Sequence, residues 1–294
     1  MGSHHHHHDK SAENIRTAFF LNLFFTIIEV AGGFLTNSMA ILSDALHDLG
    51  DSIALGLSWY LEKFSTKKRD AQYTYGYARF SLLSALINAI VLIAGSVFIL
   101  VQAIPRILDP VQPHTEGMIL LAILGVAFNG IAVLKLRGGE SLNQKMVSWH
   151  LWEDVLGWVG VLVIAIVMRF FQAPVLDSLF SVGFTLFILY NVLKVLRKTL
   201  KIFLQGRPEN MDLDKLVHDI QTIPNIISSH DLRIWTMDGE QIVMTLHVVV
   251  PSDSSKQEII RVKSLVSSTA RTHGINHVTT EIEYEGEACD LVPV

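Results

Sequence analysis

Residues 41–55 read ILSDALHDLGDSIAL and set three carboxylates and an imidazole (Asp44, His47, Asp48 and Asp51) into an apolar stretch. A bilayer charges roughly 2.5–3.5 kcal/mol for one such carboxylate at mid-depth. A membrane helix that keeps several therefore needs a cation, a proton or a polar cavity to meet them. That requirement constrains everything else the chain can be.

The surrounding composition supports a chain partly dissolved in lipid. Hydrophobic residues make up 50% and charged residues 17%, with a mean hydropathy of +0.39. The opening MGSHHHHHDK, residues 1–10, reads as an affinity tag, so its five histidines leave the argument. The remainder allows one or two domains. A net charge of −5 gives no footprint for nucleic acid, which calls for a strong basic patch. The single cysteine, Cys289, excludes an internal disulfide framework and a thiolate-rich metal cluster. No cleavable signal peptide is expected after the tag, because the first apolar run is too long and lacks a small-residue cleavage site.

A helix that crosses the hydrocarbon needs about 20 apolar residues. Six candidates stand near 16–35, 38–62, 80–104, 117–136, 146–171 and 175–196. Their connectors GGFLTNS and FQAPVLD imply tight hairpins. Lys67, Lys68, Arg69 and Arg79 follow the second span, Lys135, Arg137 and Lys145 surround the turn from fourth to fifth, and Lys194, Arg197, Lys198 and Lys201 close the sixth. All three clusters fall on one side, which the positive-inside rule makes cytoplasmic together with both termini. Arg106 and Arg169 fall on the other side. The expectation is a membrane all-α six-helix bundle over 11–205.

After LQGRPEN the pattern changes. MDLDKLVHDIQTI carries Leu213, Leu216, Val217 and Ile220 at helical spacing. SSHDLRIWTM and EQIVMTLHVVV read as strands around an Asp-Gly turn at 238–239, a second helix covers about 254–272, and HVTTEIEYE is a third strand. Residues 206–294 are thus expected to form a small cytoplasmic α+β domain of order αββαβ. No tandem repeat appears.

Within the second span His47 and Asp51 are four apart, about 40° apart on one helical face. The fifth span repeats this in VSWHLWEDVLGW, with His150 and Asp154. Two HxxxD helices offer two imidazoles and two carboxylates, enough for a tetrahedral zinc site. Because the two spans run in opposite directions, His47 should lie level with Asp154 and Asp51 with His150, although His150 stands near the start of its apolar run. Two ionised Asp and one divalent cation sum to zero, which removes most of the burial penalty. Without the metal the same groups take up protons, so metal and protons compete for one site, the physical basis of antiport. The nitrogen and oxygen donors favour Zn²⁺, with Cd²⁺ or Co²⁺ as substitutes, over magnesium, calcium or manganese. The bland alternative is that these polar groups only bond helices together. Asp44 and Asp48 divide evenly between packing and a transport role, and Asn22, Glu29, Asn88 and Asn129 read as cavity lining.

These residues resemble the cation diffusion facilitator family, on its zinc-transporting branch. The likeness covers nearly the whole chain after the tag: NSMAILSDALHDLGDS, YTYGYARFSLLSALINA and HLWED, then GRPENMDLDKL, SHDLRIW and LHVVV. It implies a homodimer in the membrane, the plasma (inner) membrane in a bacterium, that exports zinc from the cytoplasm in exchange for protons. It also implies a metallochaperone-like (ferredoxin-like) cytoplasmic domain that binds zinc. Carried over residue by residue, the transport site maps to His47, Asp51, His150 and Asp154. The cytoplasmic zinc ligands map to His230, His247 and Glu283, with His277 or Glu281 as further candidates; one residue per strand places the first three to meet at a sheet edge. The chain departs from the family at Arg233, where relatives often carry His, and at RGGESLNQK (137–145), which is not His-rich. The loop after the second span has Asp70 but no His, and Cys289, standing alone, reads as a simple thiol.

Two rivals remain. A membrane metalloenzyme activating water needs an open coordination position and a general base, typically in HExxH. That motif is absent, and Glu153, beside Asp154, points about 100° away on a helix. A metal sensor needs an output module, and none is recognisable.

Overall fold

The computed structural model describes residues 6–65, 67, 69–136, 142–209 and 211–289. They divide into two compact units, Met1–Phe64 with Leu83–Leu196, and Ser65–Leu82 with Arg197–Val294.

The first unit is helical. Its elements are α1 (His6–Thr36), α2 (Met39–Ser65), α3 (Phe80–Ala103), the short α4 (Pro105–Leu108), α5 (Thr115–Leu136), α6 (Leu142–Phe171) and α7 (Val175–Phe203), whose last turns enter the second unit. The six long helices coincide with the six apolar stretches. Among the described residues, three helices are long and apolar enough to cross a membrane, Phe80–Leu108, Trp152–Phe171 and Val175–Phe203, while Asn22–Thr36 and Thr115–Ile131 are shorter apolar runs. In α2 the carboxylates interrupt the apolar run.

Packing places α2 among its neighbours. Ala40 and Ile41 share a core with Phe25 of α1, Met118 and Ala122 of α5, and Trp158 of α6, while Met39 and Leu42 pack on Ile99 and Ala103 of α3. Two glycines set the approach of α2 to α3. A methyl at Gly50 would overlap Leu92, and one at Gly95 would overlap Leu46. Such close approach is how membrane helices gain van der Waals contact where lipid supplies no hydrophobic drive. The N-terminus of α2 is capped from across the bundle. Asp177 of α7 accepts from Ser38 Oγ at 2.6 Å and from the backbone N–H groups of Met39 (2.7 Å) and Ala40 (3.3 Å), satisfying donors that a helix start leaves open.

Arg106 and Arg169 have local partners. Arg169 pairs with Glu116 at 2.8 Å, and Arg106 donates to the Asn37 carbonyl at 3.1 Å.

The second unit holds α8 (Leu213–Gln221), β1 (Ser228–Thr236), β2 (Ile242–Val250), α9 (Lys256–Thr272) and β3 (His277–Tyr284), the expected αββαβ order. The sheet runs β1-β2-β3, antiparallel between β1 and β2 and parallel between β2 and β3, so α9 is the crossover that a parallel pair requires. Asp212 caps α8 by accepting from Lys215 N–H at 3.0 Å, and Ser255 with Glu258 forms a capping box on α9. Met244, Leu246, Val248 and Val250 of β2 pack with Leu216 and Ile220 of α8 and Val262, Val266 and Ala270 of α9. Val217 is half-buried and outside that core. The alternate residues of β2, His247 among them, face the other side of the sheet.

Candidate metal centres

In the helical unit His47 stands between two carboxylates. Its Nε2 is 3.8 Å from Asp51 Oδ2 one helical turn away and 3.9 Å from Asp154 Oδ1 on α6. A tetrahedral zinc with bonds near 2.0–2.2 Å holds its ligand atoms about 3.3–3.5 Å apart, so these separations are within a few tenths of an ångström of a coordination shell. The ring of Phe184 on α7 meets His47 edge-on at 6.1 Å. The facing of His47 and Asp154 follows the antiparallel run of the two helices. The side chain of His150 lies outside the described residues; its backbone lies more than two turns inside α6.

Around this group Asp44 is 3% and Asp48 4% exposed, and Glu29 of α1 is fully buried. Asp44 Oδ1 comes within 3.3 Å of where a Cβ on Gly157 of α6 would stand, so that glycine makes room for the carboxylate. Asn22 donates to the Asp48 carbonyl and to Ser52 Oγ, both at 3.1 Å. It therefore ties α1 to α2 beside the site.

The second constellation spans the open face of the sheet. His230 and His247 are cross-strand partners with ring centroids 5.2 Å apart. Glu283 accepts from His247 Nδ1 at 2.5 Å and lies 3.2 Å from His230 Nε2. Cys289 Sγ is 3.9 Å from His247 Nδ1. One ligand atom from each of His230, His247, Glu283 and Cys289 falls within 4.8 Å of all the others. The His247 bond holds the Glu283 carboxyl below the usual carboxylate range, with Cys289 and His230 adding to it.

This geometry departs from an edge arrangement. Because β3 pairs with β2 on the side away from β1, His247 is on the central strand and the cluster lies across the face. Cys289 also departs from a simple thiol: it follows β3 closely enough to fold back onto His247. A lone cysteine with no metal spacing gave no sequence signal for this. Glu281 Oε2 is 3.4 Å from the other nitrogen of His247, and Asp231 Oδ2 is 3.9 Å from it. His277 stands apart, paired with Val243 and meeting the Tyr75 ring edge-on at 6.2 Å. Arg233 bonds Asp231 through two nitrogens at 3.1 Å each, next to a bulge where Asp231 takes φ +46°.

Asp70 builds a turn. It accepts from the Gln72 and Tyr73 N–H groups at 2.9 and 2.8 Å and from the Tyr77 hydroxyl at 2.7 Å. The Tyr77 bond, first among these, lowers the Asp70 carboxyl and raises the phenol in return.

Long apolar helices around a half-buried imidazole with buried carboxylates beside it, followed by an α+β domain with its own N, O and S donor cluster, define an integral membrane metal-cation transporter. Residues 15–204 match the cation efflux transmembrane domain and residues 208–285 the cytoplasmic domain of cation efflux proteins. The chain belongs to that family, the cation diffusion facilitators, on its zinc branch. It is 34% identical over 288 residues (96% of this chain, 92% of the relative) to a cadmium, cobalt and zinc/H(+)-K(+) antiporter of Bacillus velezensis. It is 35% identical over 289 residues (96% and 90%) to the metal cation efflux system protein CzcD of Cupriavidus metallidurans. It is 30% identical over 298 residues (98% and 94%) to the zinc transporter ZitB of Escherichia coli. It is a metal-cation efflux transporter and not an enzyme.

Proposed function

We propose that the chain exports Zn²⁺ in exchange for protons by alternating access at His47, Asp51, His150 and Asp154. The observation that carries this reading is His47 Nε2 lying 3.8 and 3.9 Å from Asp51 and Asp154 on two different helices. On the loading side the ionised carboxylates and neutral imidazoles take zinc, and the charges sum to zero. Rocking of the helices opens the site to the other side, where protons displace the metal, because the same lone pairs serve both. The donor set accepts Cd²⁺ and Co²⁺ as well. This matches the cadmium, cobalt and zinc named for one relative.

The working form in this reading is a multi-pass homodimer. Residues 11–205 form the transport domain and 206–294 the cytoplasmic domain, with both termini in the cytoplasm. In a bacterium this is the inner membrane. His230, His247, Glu283 and Cys289 hold a second, resident zinc: two nitrogens, one oxygen and one sulfur suit its borderline softness. Bound there, the ion would tie β1, β2 and β3 to the segment after β3.

Reconstituted vesicles under a pH gradient provide the test. Zinc should drive proton flux in the wild type, and Asp51→Ala or Asp154→Ala should reduce it to the level of empty vesicles. Undiminished flux in either variant would sink the site assignment.

A further inference from the structure

A cavity of about 300 Å³ opens between the end of α7 and the β1–β2 turn, within the second unit. Lys198, Lys201 and Arg207 line it, with Glu209, Thr236 and Gly239. Its size is at the low end of small-ligand pockets. Lys198 and Lys201 are three apart on α7 and so share one face. Glu209 is 3.8 Å from Lys201, and among the described residues Lys198 and Arg207 make no ion pair. His273 borders the cavity, but its Nε2 is taken by Asp219 at 2.8 Å. Three cations thus face one carboxylate.

The end of α7 would ordinarily repel an anion through its open carbonyls. Here a C-cap occupies them. Leu204 N–H bonds the Leu200 carbonyl at 2.9 Å, Gln205 N–H that of Ile202 at 3.0 Å and Gly206 N–H that of Lys201 at 2.8 Å, with Gln205 at φ +57°. A Cβ on Gly206 would stand 2.6 Å from Lys201 Cγ, so glycine lets the lysine stem lie across the loop.

We propose that this cavity binds a phosphate group, presented by an anionic phospholipid headgroup or by a soluble phosphate ester. Arg207 supplies the planar fork that matches phosphate oxygens, and the two lysines supply point charge. The setting favours lipid as the source. The lysines end a 29-residue helix apolar enough to cross a membrane, where headgroups lie. Leu200 and Leu204 beside them are 40% and 81% exposed, apolar surface suited to an acyl chain.

The test uses the full-length purified protein in detergent. Native mass spectrometry counts retained phosphatidylglycerol against phosphatidylcholine, whose choline cation would face the basic side chains. Thermal shifts with inorganic phosphate and glycerol phosphate form the second arm. The wild type should hold phosphatidylglycerol about tenfold better than Lys198→Gln/Arg207→Gln, while Arg261→Gln/Lys263→Gln, which removes equal charge elsewhere, keeps wild-type retention. Protection by the soluble phosphates, lost in the Lys198/Arg207 variant and with no lipid preference, upholds the site and assigns a soluble ligand. Equal behaviour of wild type and Lys198/Arg207 variant in both arms overturns the proposal, and so does equal loss in the charge-matched control.

Discussion

In the helical unit the carboxylates of Asp44, Asp48 and Asp154 are inside, while Phe24, Leu35 and Phe170 are 61%, 84% and 76% exposed. In the α+β domain the arrangement is reversed: Leu216, Met244 and Val248 are inside, and the His–Glu–Cys cluster lies on the sheet face away from the helices. Both units place imidazole beside carboxylate, but for different reasons. In lipid, a buried carboxylate needs a cation, a proton or a polar partner beside it, which is why the proposed transport role is assigned to this group. In water, a half-exposed cluster costs little and is tolerated with or without metal.

That contrast is open to attack, beginning with the largest effect. Asp154→Ala should abolish zinc transport, whereas His247→Ala should leave transport measurable and remove the second zinc; vesicle flux and bound-metal analysis separate the two. If His247→Ala alone stops transport, the two centres are not independent. Next in size, Met244→Ala should destabilise the α+β core by about 2–5 kcal/mol, read from denaturant unfolding of the full chain. Cys289→Ser should weaken the second zinc by about tenfold or more, as measured by competition with a chromophoric chelator. His277→Ala should leave that affinity unchanged, and an equal loss would place His277 in the cluster after all.

Two smaller effects sharpen the picture. Ser255→Ala removes one half of the capping box and should cost about 1 kcal/mol. The Glu283 carboxyl is lowered in the folded chain, so its stabilisation is present above the ordinary carboxylate pKa and is lost as pH falls through the lowered one. Metal-free wild type should therefore lose stability on acidification below that range with a steeper slope than Glu283→Gln, seen by thermal melts from pH 6 downward.

The approach of His47 to Asp51 and Asp154 was more legible than the cytoplasmic cluster because its spacing is local. His47 and Asp51 are one turn apart whatever the helix packs against, and the repetition at His150 and Asp154 named the partner helix. The helix and strand order of the α+β domain was equally plain from periodicity. Of the cluster, His230, His247 and Glu283 came only through the family resemblance, because their meeting depends on register: His230 opposite His247 comes from strand pairing, and Cys289 arrives by a turn after β3. Asp177 as the cap of α2 left no local trace either, being separated by 138 residues from the Met39 N–H it accepts from.

The sequence by itself determined the apolar helices, the paired HxxxD and the αββαβ order, because each follows from contacts within a turn or between alternate residues. Only the tertiary structure decided that β3 adds beyond β2, that His247 therefore takes the central strand, and that Lys198, Lys201 and Arg207 line one cavity. These depend on which distant segments meet, and no local periodicity encodes that choice.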